Sequence, residues 1–281
     1  MLVSEACAQG CADLKYADID TPALDASLLL AHVLNTSRES LLAKSKDILS
    51  EKNCAAYCGL IERRCSGECI AYIIGKKEFR GLEFAVNPSV LVPRPDTETL
   101  VEAAVHISGK IRILDLCTGS GAVAVALKNE KPEFEITAAD ISAGAIETAK
   151  KNAACLLPAG SQINFCIGDL FDALPSRDYL FDIIVSNPPY VSSDEIKTLS
   201  AEVQNEPVIA LDGGADGLGI IKRIINKAPE YLQPEGMLLL EADPRQMREI
   251  SALLENKGFT EIQFYNDLSG SQRVIGGIIN S

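Results

Sequence analysis

Apolar residues recur at helical spacing through the first part of the chain. Leu24, Leu28, Leu29, His32 and Val33 form one such run, the pattern of a helix with one buried face. Asp20-Thr21-Pro22 precedes it, supplying a cap and a proline where the first helical turn needs no N–H. A second run spans Ser50 to Arg64 and breaks at Ser66-Gly67. The stretch Glu78–Val86 alternates instead, which predicts a strand pair or an extended linker. Asn87-Pro88 and Val92-Pro93-Arg94-Pro95 hold the backbone extended, because a residue before proline avoids the helical region. Asp96-Thr97-Glu98 then reopens a helix with a cap and early acidic residues.

From Ile111 the pattern becomes strand, turn and helix in repetition. Strands are predicted at Ile111–Leu116, Glu135–Ala139, Asn164–Ile167, Asp182–Ser186 and Met237–Glu241. Helical patterns between most of them imply an α/β fold, a doubly wound, mostly parallel sheet with helices on both faces. Glu261–Tyr265 and Arg273–Ile279 follow each other without a helix, so the sheet is expected to end in an antiparallel edge. The expected organisation is a helical domain at 1–75, a strand-pair linker at 76–92 and the α/β domain at 93–281.

Composition narrows the function. Of 281 residues, 47% are hydrophobic and 23% charged, enough for a sizeable core. The formal net charge of -13 lowers the case for a protein held to nucleic acid by bulk phosphate attraction. No apolar stretch is long enough to span a bilayer, and residues 1–14 lack the features of a secretory signal. Nine cysteines without such a signal fit reduced thiols in the cytoplasm. Cys54, Cys58, Cys65 and Cys69 would share one face of an uninterrupted helix, but the Ser-Gly break divides them and their spacing is not that of a zinc site. No metal is expected. Nothing signals an oligomer, and a monomer is the default.

The chemistry begins at Ile113-Leu-Asp-Leu-Cys-Thr-Gly-Ser-Gly121, a buried strand entering a glycine-rich turn and a helix at Ala122–Lys128. The form Asp115-Leu-Cys117-Thr118-Gly119-Ser120-Gly121 is neither a dinucleotide fingerprint nor a phosphate loop, and no lysine follows to hold a phosphate. A neutral-to-cationic nucleoside is favoured, with Asp115 attracting a positively charged amino-acid moiety. Asp140 ends the next strand, placed to accept from both ribose hydroxyls, with Ile141 beside it. Asp169-Leu170 ends the third, where a carboxylate can accept from an adenine amine and Leu170 can lie near the ring. Carboxylates at successive strand ends beside one glycine turn point to S-adenosylmethionine. A plain NAD-binding domain is the competitor.

A fourth strand runs into Asn187-Pro188-Pro189-Tyr190. Two prolines stiffen this turn and remove two backbone donors. The Asn187 side-chain oxygen and the Pro188 carbonyl remain as acceptors, and Tyr190 adds an aromatic wall. That set suits a planar N–H2 group, an amide or aryl amine. Two acceptors on its hydrogens would orient a weak nucleophile toward the sulfonium methyl and stabilise the positive charge that develops.

With these motifs in place, the chain resembles the HemK/PrmC family of release factor glutamine methyltransferases over nearly its full length. The matching pieces are Pro93-Arg-Pro-Asp-Thr-Glu98, Asp115–Gly121, Asp140-Ile-Ser, Asn187-Pro-Pro-Tyr190, Glu206-Pro, Ala210-Leu-Asp-Gly-Gly-Ala-Asp-Gly-Leu218 and Asp267-Leu-Ser-Gly with Arg273-Val. The resemblance implies a Rossmann-like methyltransferase with a small N-terminal helical domain that helps to grip a class 1 peptide chain release factor. The implied product is S-adenosylhomocysteine, with the methyl group on the glutamine amide of a Gly-Gly-Gln motif, an event that modulates translation termination. It also implies that Cys117–Gly121 and Asp140 bind the cofactor, that Leu170 lies on the adenine side, that Asn187 meets both ligands, and that Asn187–Tyr190 hold the glutamine. Cys117 stands where glycine is frequent in the family, Cys69 where proline is common, and Glu241-Ala242-Asp243 where many members have Glu-x-Gly.

Arg94 either lines the substrate mouth or pairs with Asp96 or Glu98. Glu206 and Asp216 read as loop organisers or substrate contacts, His32 and His106 as structural, and Gln246 as a helix-surface residue or a brace for a loop near the cofactor. The competing functions are an adenine-N6 methyltransferase on nucleic acid, which presents the same N–H2 group, and a binding module that has kept the fold without activity.

Overall fold

Glycine and proline divide the chain where its periodicity changes, and the elements follow that division. A computed structural model describes residues 1–107, 111–176 and 179–280. It resolves into two compact units, Met1–Gly75 with Ser200–Asn205, and Lys76–Leu199 with Glu206–Ser281.

The first unit is helical: Val3–Tyr16, Pro22–Val33, Arg38–Ala43, Glu51–Cys65 and Ile70–Ile74, with the short helix Ala201–Gln204. Pro22 sits in the first turn of its helix as expected. The buried face differs from the predicted stripe. Asp25, Ala26, Leu29 and Leu30 are buried, whereas Leu24 is exposed. The rotation has a physical cause. Arg64 of the fourth helix is itself fully buried and pairs with Asp25 at 2.7 Å, so a carboxylate occupies the inner face. Arg64 also bonds Glu202 and the Glu68 carbonyl, satisfying a charge that burial would otherwise make costly. The four cysteines do not share a helix face: Glu51–Cys65 ends at the third of them, and Cys69 caps the next helix.

The second unit opens with a hairpin, β1 (Lys76–Phe79) and β2 (Leu82–Ala85), turned through Arg80-Gly81 with both residues at positive φ, a geometry that suits the twist of a two-residue hairpin. The following strands are β3 (Arg112–Leu116), β4 (Glu135–Asp140), β5 (Ile163–Ile167), β6 (Phe181–Ser186), β7 (Leu232–Glu241), β8 (Phe259–Asn266) and β9 (Gln272–Ile279). The last seven make one sheet in the order β5-β4-β3-β6-β7-β9-β8. Pairs from β5 through β7 are parallel, and β9 is antiparallel to both its neighbours. The expected antiparallel edge is therefore refined: β9 lies inside the sheet, with β8 outside it. Near-continuous apolar strands such as Ile113-Leu114 and Ile183-Ile184-Val185 are fully buried, because helices cover both faces. Glu98–Val105 and Ala122–Glu130 pack with Phe79 and Phe84 on one side, and Gly219–Lys227 with Met247–Asn256 on the other. The sheet is mixed rather than wholly parallel, and the chain carries a helical N-terminal domain besides. Parallel strands all end at one edge, and the predicted turns collect there.

Candidate active site

A cavity of about 460 Å³ opens at the carboxyl ends of β3 to β6, within the size range of small-molecule sites. Asp115, Cys117, Thr118, Gly119, Ser120, Asp140, Ile141, Asp169, Leu170, Asn187, Pro189 and Arg94 line it. Residues predicted from four separate strand ends are thus brought together. Gly121, Pro188 and Tyr190 do not line it. Gly121 caps the helix Ala122–Glu130 at φ 79°, and a Cβ there would lie 3.0 Å from that of Ala149. Pro188 is buried, and Tyr190 turns its hydroxyl toward Glu241 at 3.5 Å.

The turn after β3 is held by its own polar groups. Thr118 Oγ1 donates to Asp115 Oδ2 at 2.6 Å. Burial pushes the Asp115 carboxyl up to about 7, against the pull of the Thr118 bond. Cys117 adopts φ 59°, the left-handed region, which explains why glycine suits that position; burial pushes its thiol up as well. Asp140 accepts from Gly119 N through Oδ2 and from Ser142 N through Oδ1, each at 2.9 Å. Burial raises its carboxyl while these amides lower it. Each oxygen keeps lone-pair capacity for a further donor. Asp169 pairs with Arg223 at 2.7 Å.

The Asn187 turn is braced from three sides. Ser186 Oγ donates to the Leu116 carbonyl at 2.8 Å. Val191 N donates to Leu211 O at 3.0 Å, and Gly213 N to Val191 O at 2.8 Å. A Cβ on Gly213 would meet the Pro189 carbonyl at 2.8 Å, and one on Gly217, at φ 72°, would run into the Tyr190 carbonyl. The Leu-Asp-Gly-Gly-Ala-Asp-Gly-Leu segment is thus a buttress whose glycines let two backbones touch. Gln246 Nε2 donates to Tyr190 O at 3.0 Å, so this residue braces the loop. Within the side-chain amide of Asn187, Nδ2 donates to Thr97 Oγ1 at 3.1 Å.

Arg94 does not pair with Asp96 or Glu98. It pairs with Glu206, a carboxylate 3% exposed that also accepts from Val92 N at 2.9 Å. Glu206 is accordingly a loop organiser, and so is Asp216, which accepts from Leu218 N and pairs with Lys222. Among the described residues no His, Cys or carboxylate cluster could hold a metal ion.

The family model described as the PrmC N-terminal domain matches residues 5–75, and that of the methyltransferase small domain matches residues 95–205. The release factor glutamine methyltransferase of Bordetella pertussis is 41% identical over 266 residues, covering 94% of this chain and 97% of that protein. The chain belongs to the release factor glutamine methyltransferase family. The family's protein from Coxiella burnetii is 43% identical over 258 residues, 91% of each chain. A crystal structure of a methyltransferase from Pyrococcus furiosus matches with a TM-score of 0.55 at 18% identity, over 73% of this chain and 92% of that one, and so shares its fold.

Sequence reasoning about this family member missed several residues at the cavity. Thr97 is the N-cap of Glu98–Val105, as expected, but its side chain makes no cap bond; it is 4% exposed and accepts from Asn187 instead. Ser89–Leu91, Val208–Ala210 and Arg223 also line the cavity. Glu241, at the end of β7, is fully buried beside Tyr190. The signal for Thr97 lay in its place within Pro93-Arg-Pro-Asp-Thr-Glu98, and that for Glu241 in its place at a strand's carboxyl end.

Proposed function

We propose that this chain is a Rossmann-like, S-adenosylmethionine-dependent enzyme acting on class 1 peptide chain release factors. It methylates the side-chain amide nitrogen of the glutamine in their Gly-Gly-Gln motif and so modulates translation termination. The observation that carries the reading is the anchored Asn187 amide at the same cavity as Asp115 and Asp140. With Nδ2 committed to Thr97, Asn187 offers its oxygen as the acceptor.

The residues fit the cofactor. The two Asp140 oxygens, each held by one backbone amide, suit a pair of ribose hydroxyls. Among the described residues the buried Asp115 carboxyl has no cationic partner of its own, which suits a cationic amino-acid moiety. Leu170 and Ile141 give apolar surface for an adenine ring. When bound, S-adenosylmethionine supplies a sulfonium-activated methyl group. At the cavity the chain itself supplies Asn187 Oδ1 as the acceptor, and the stiff diproline turn behind it keeps that oxygen aligned. This acceptor favours the nitrogen as it gains positive charge. No strong base is needed, since the cationic nitrogen loses its proton readily. The enzyme works as a cytoplasmic monomer, and the helical unit helps to grip the protein substrate. No helix among the described residues is long and apolar enough to cross a membrane.

The test is methyl transfer from labelled S-adenosylmethionine to a purified class 1 release factor, beside a variant with the motif glutamine changed to alanine. Label on the first and not the second is the expected result. Label on nucleic acid instead would move the function to adenine, and no cofactor binding would move it to a non-enzymatic module.

A further inference from the structure

An asparagine amide can be turned about its axis with little change of shape, exchanging an acceptor for a pair of donors. Only one orientation of Asn187 can accept from a substrate N–H2; the other sets donor against donor. Something behind Asn187 must choose between them.

The structure shows a chain of groups there. Asn187 Nδ2 donates to Thr97 Oγ1 at 3.1 Å. A hydroxyl carries one hydrogen, so Thr97 has its own to send onward, and the buried Glu241 carboxyl is the acidic group beside it, whose ionised form the Thr97 side chain favours. Glu241 is fully buried, receives the Tyr190 hydroxyl at 3.5 Å through Oε1, and has no partner for Oε2 among the described residues. Its surroundings come from several elements. Arg273 on β9 draws its proton off, Asp96 in the turn before Glu98–Val105 opposes that, and Tyr190 adds its hydroxyl. Arg273 is shared with Asp96 at 3.1 Å and Asp267 at 3.5 Å, so it neutralises Glu241 only in part.

We propose that Glu241 and Thr97 are positioning residues: the acceptor-only carboxylate fixes the Thr97 hydrogen, and Thr97 fixes the Asn187 amide with Oδ1 toward the cavity. This rests on the amide-methylation reading above. A protonated Glu241 reverses the chain. Its O–H donates to Thr97, the Thr97 hydrogen turns to Asn187 Oδ1, and Nδ2 then faces the substrate nitrogen. Burial raises the Glu241 carboxyl to about 7, so the productive orientation is held above that pH and lost below it. Asp115 and Asp140 also titrate high because they are buried, but they belong to the cofactor side of the cavity, and saturating cofactor separates their effect.

The experiment measures kcat and KM for a release factor between pH 5.5 and 9 at saturating S-adenosylmethionine, with cofactor affinity measured in parallel by calorimetry. It compares the wild type with Thr97→Ser, Thr97→Val and Glu241→Gln. The expected result is that Thr97→Val loses about 30-fold in kcat with cofactor affinity unchanged, while Thr97→Ser restores it to within about threefold. Glu241→Gln, which has the same shape but no proton to lose, is expected to drop about tenfold and to lose the acid limb near pH 7. Thr97→Val within twofold of wild type, or Glu241→Gln with the wild-type acid limb intact, overturns the proposal. A wild type that leaves the release factor unmethylated overturns the functional reading instead.

Discussion

Gln246 donates from Nε2 to the carbonyl oxygen of Tyr190 at 3.0 Å, and its Oε1 accepts from Asp243 N at 3.3 Å. One side chain therefore links the loop after β7 to the turn that carries Asn187. Gln246→Ala removes both bonds, and we expect kcat to fall between about 5- and 50-fold, since small displacements of an aligned group are costly. Cofactor affinity should stay within twofold. Equal losses in both would place Gln246 in general stability instead.

Asn187→Ala should abolish transfer while leaving cofactor binding largely intact, and Asp140→Ala should mainly weaken cofactor affinity. Calorimetry with S-adenosylmethionine, together with labelled methyl transfer, separates the two. Unchanged affinity in Asp140→Ala would show that the ribose lies elsewhere.

The Asp115 carboxyl, raised by burial to about 7, gives cofactor affinity a pH dependence. A cation prefers the ionised carboxylate, so below that pH binding must release a proton. Affinity should rise by up to about tenfold per pH unit toward 7 and level off above it. Asp115→Asn should remove that slope. Calorimetry in buffers of different ionisation enthalpy reads the proton directly, and wild-type binding without proton release at pH 6 would refute the assignment.

Cys117 holds φ 59° with a side chain, a conformation that costs about 1–2 kcal/mol. Glycine removes that strain but adds about 0.5–1 kcal/mol of unfolded-state entropy. Cys117→Gly should therefore raise the melting temperature slightly, and the β-branched Cys117→Val should lower it clearly. A Cys117→Val melt equal to wild type would remove the strain argument.

Arg64 is 1% exposed and faces Asp25, itself 2% exposed. Arg64→Met leaves a buried carboxylate unpaired, which costs about 3–5 kcal/mol. The double change with Asp25→Leu should recover most of the loss. Thermal denaturation followed by circular dichroism tests both, and a double variant as unstable as the single would contradict the pairing argument.

The parallel strands were legible because burial on both faces makes them continuous apolar runs, as at Ile113-Leu114. β7 starts earlier than its pattern indicated, at Leu232 rather than Met237, across Pro234 and the positive-φ Glu235, where its pairing with β6 shifts register. The helix stripe around Leu29 was rotated by Asp25, whose partner Arg64 lies in another helix. Arg94 likewise found Glu206 rather than its acidic neighbours in sequence. Local pattern predicts local partners. The cavity's cofactor side was visible because each contributing residue ends a strand beside a recognisable turn. Thr97 and Glu241 were not, since their role depends on contact with Asn187 and Tyr190 across the sheet.

β9 sits between β7 and β8, although β8 precedes it in the chain. When β8 is made, its place beside β7 is not available to it, because that ladder belongs to β9. We expect the two to pair first with each other, through a hairpin closed at Asp267, whose backbone and side chain gather Ser269, Gly270 and Ser271, and then to dock together. Hairpins form in about 1–10 μs, far faster than the slow assembly that long-range pairing imposes. The Asp267 turn therefore acts on the order of events, and weakening it should slow refolding more than it lowers equilibrium stability.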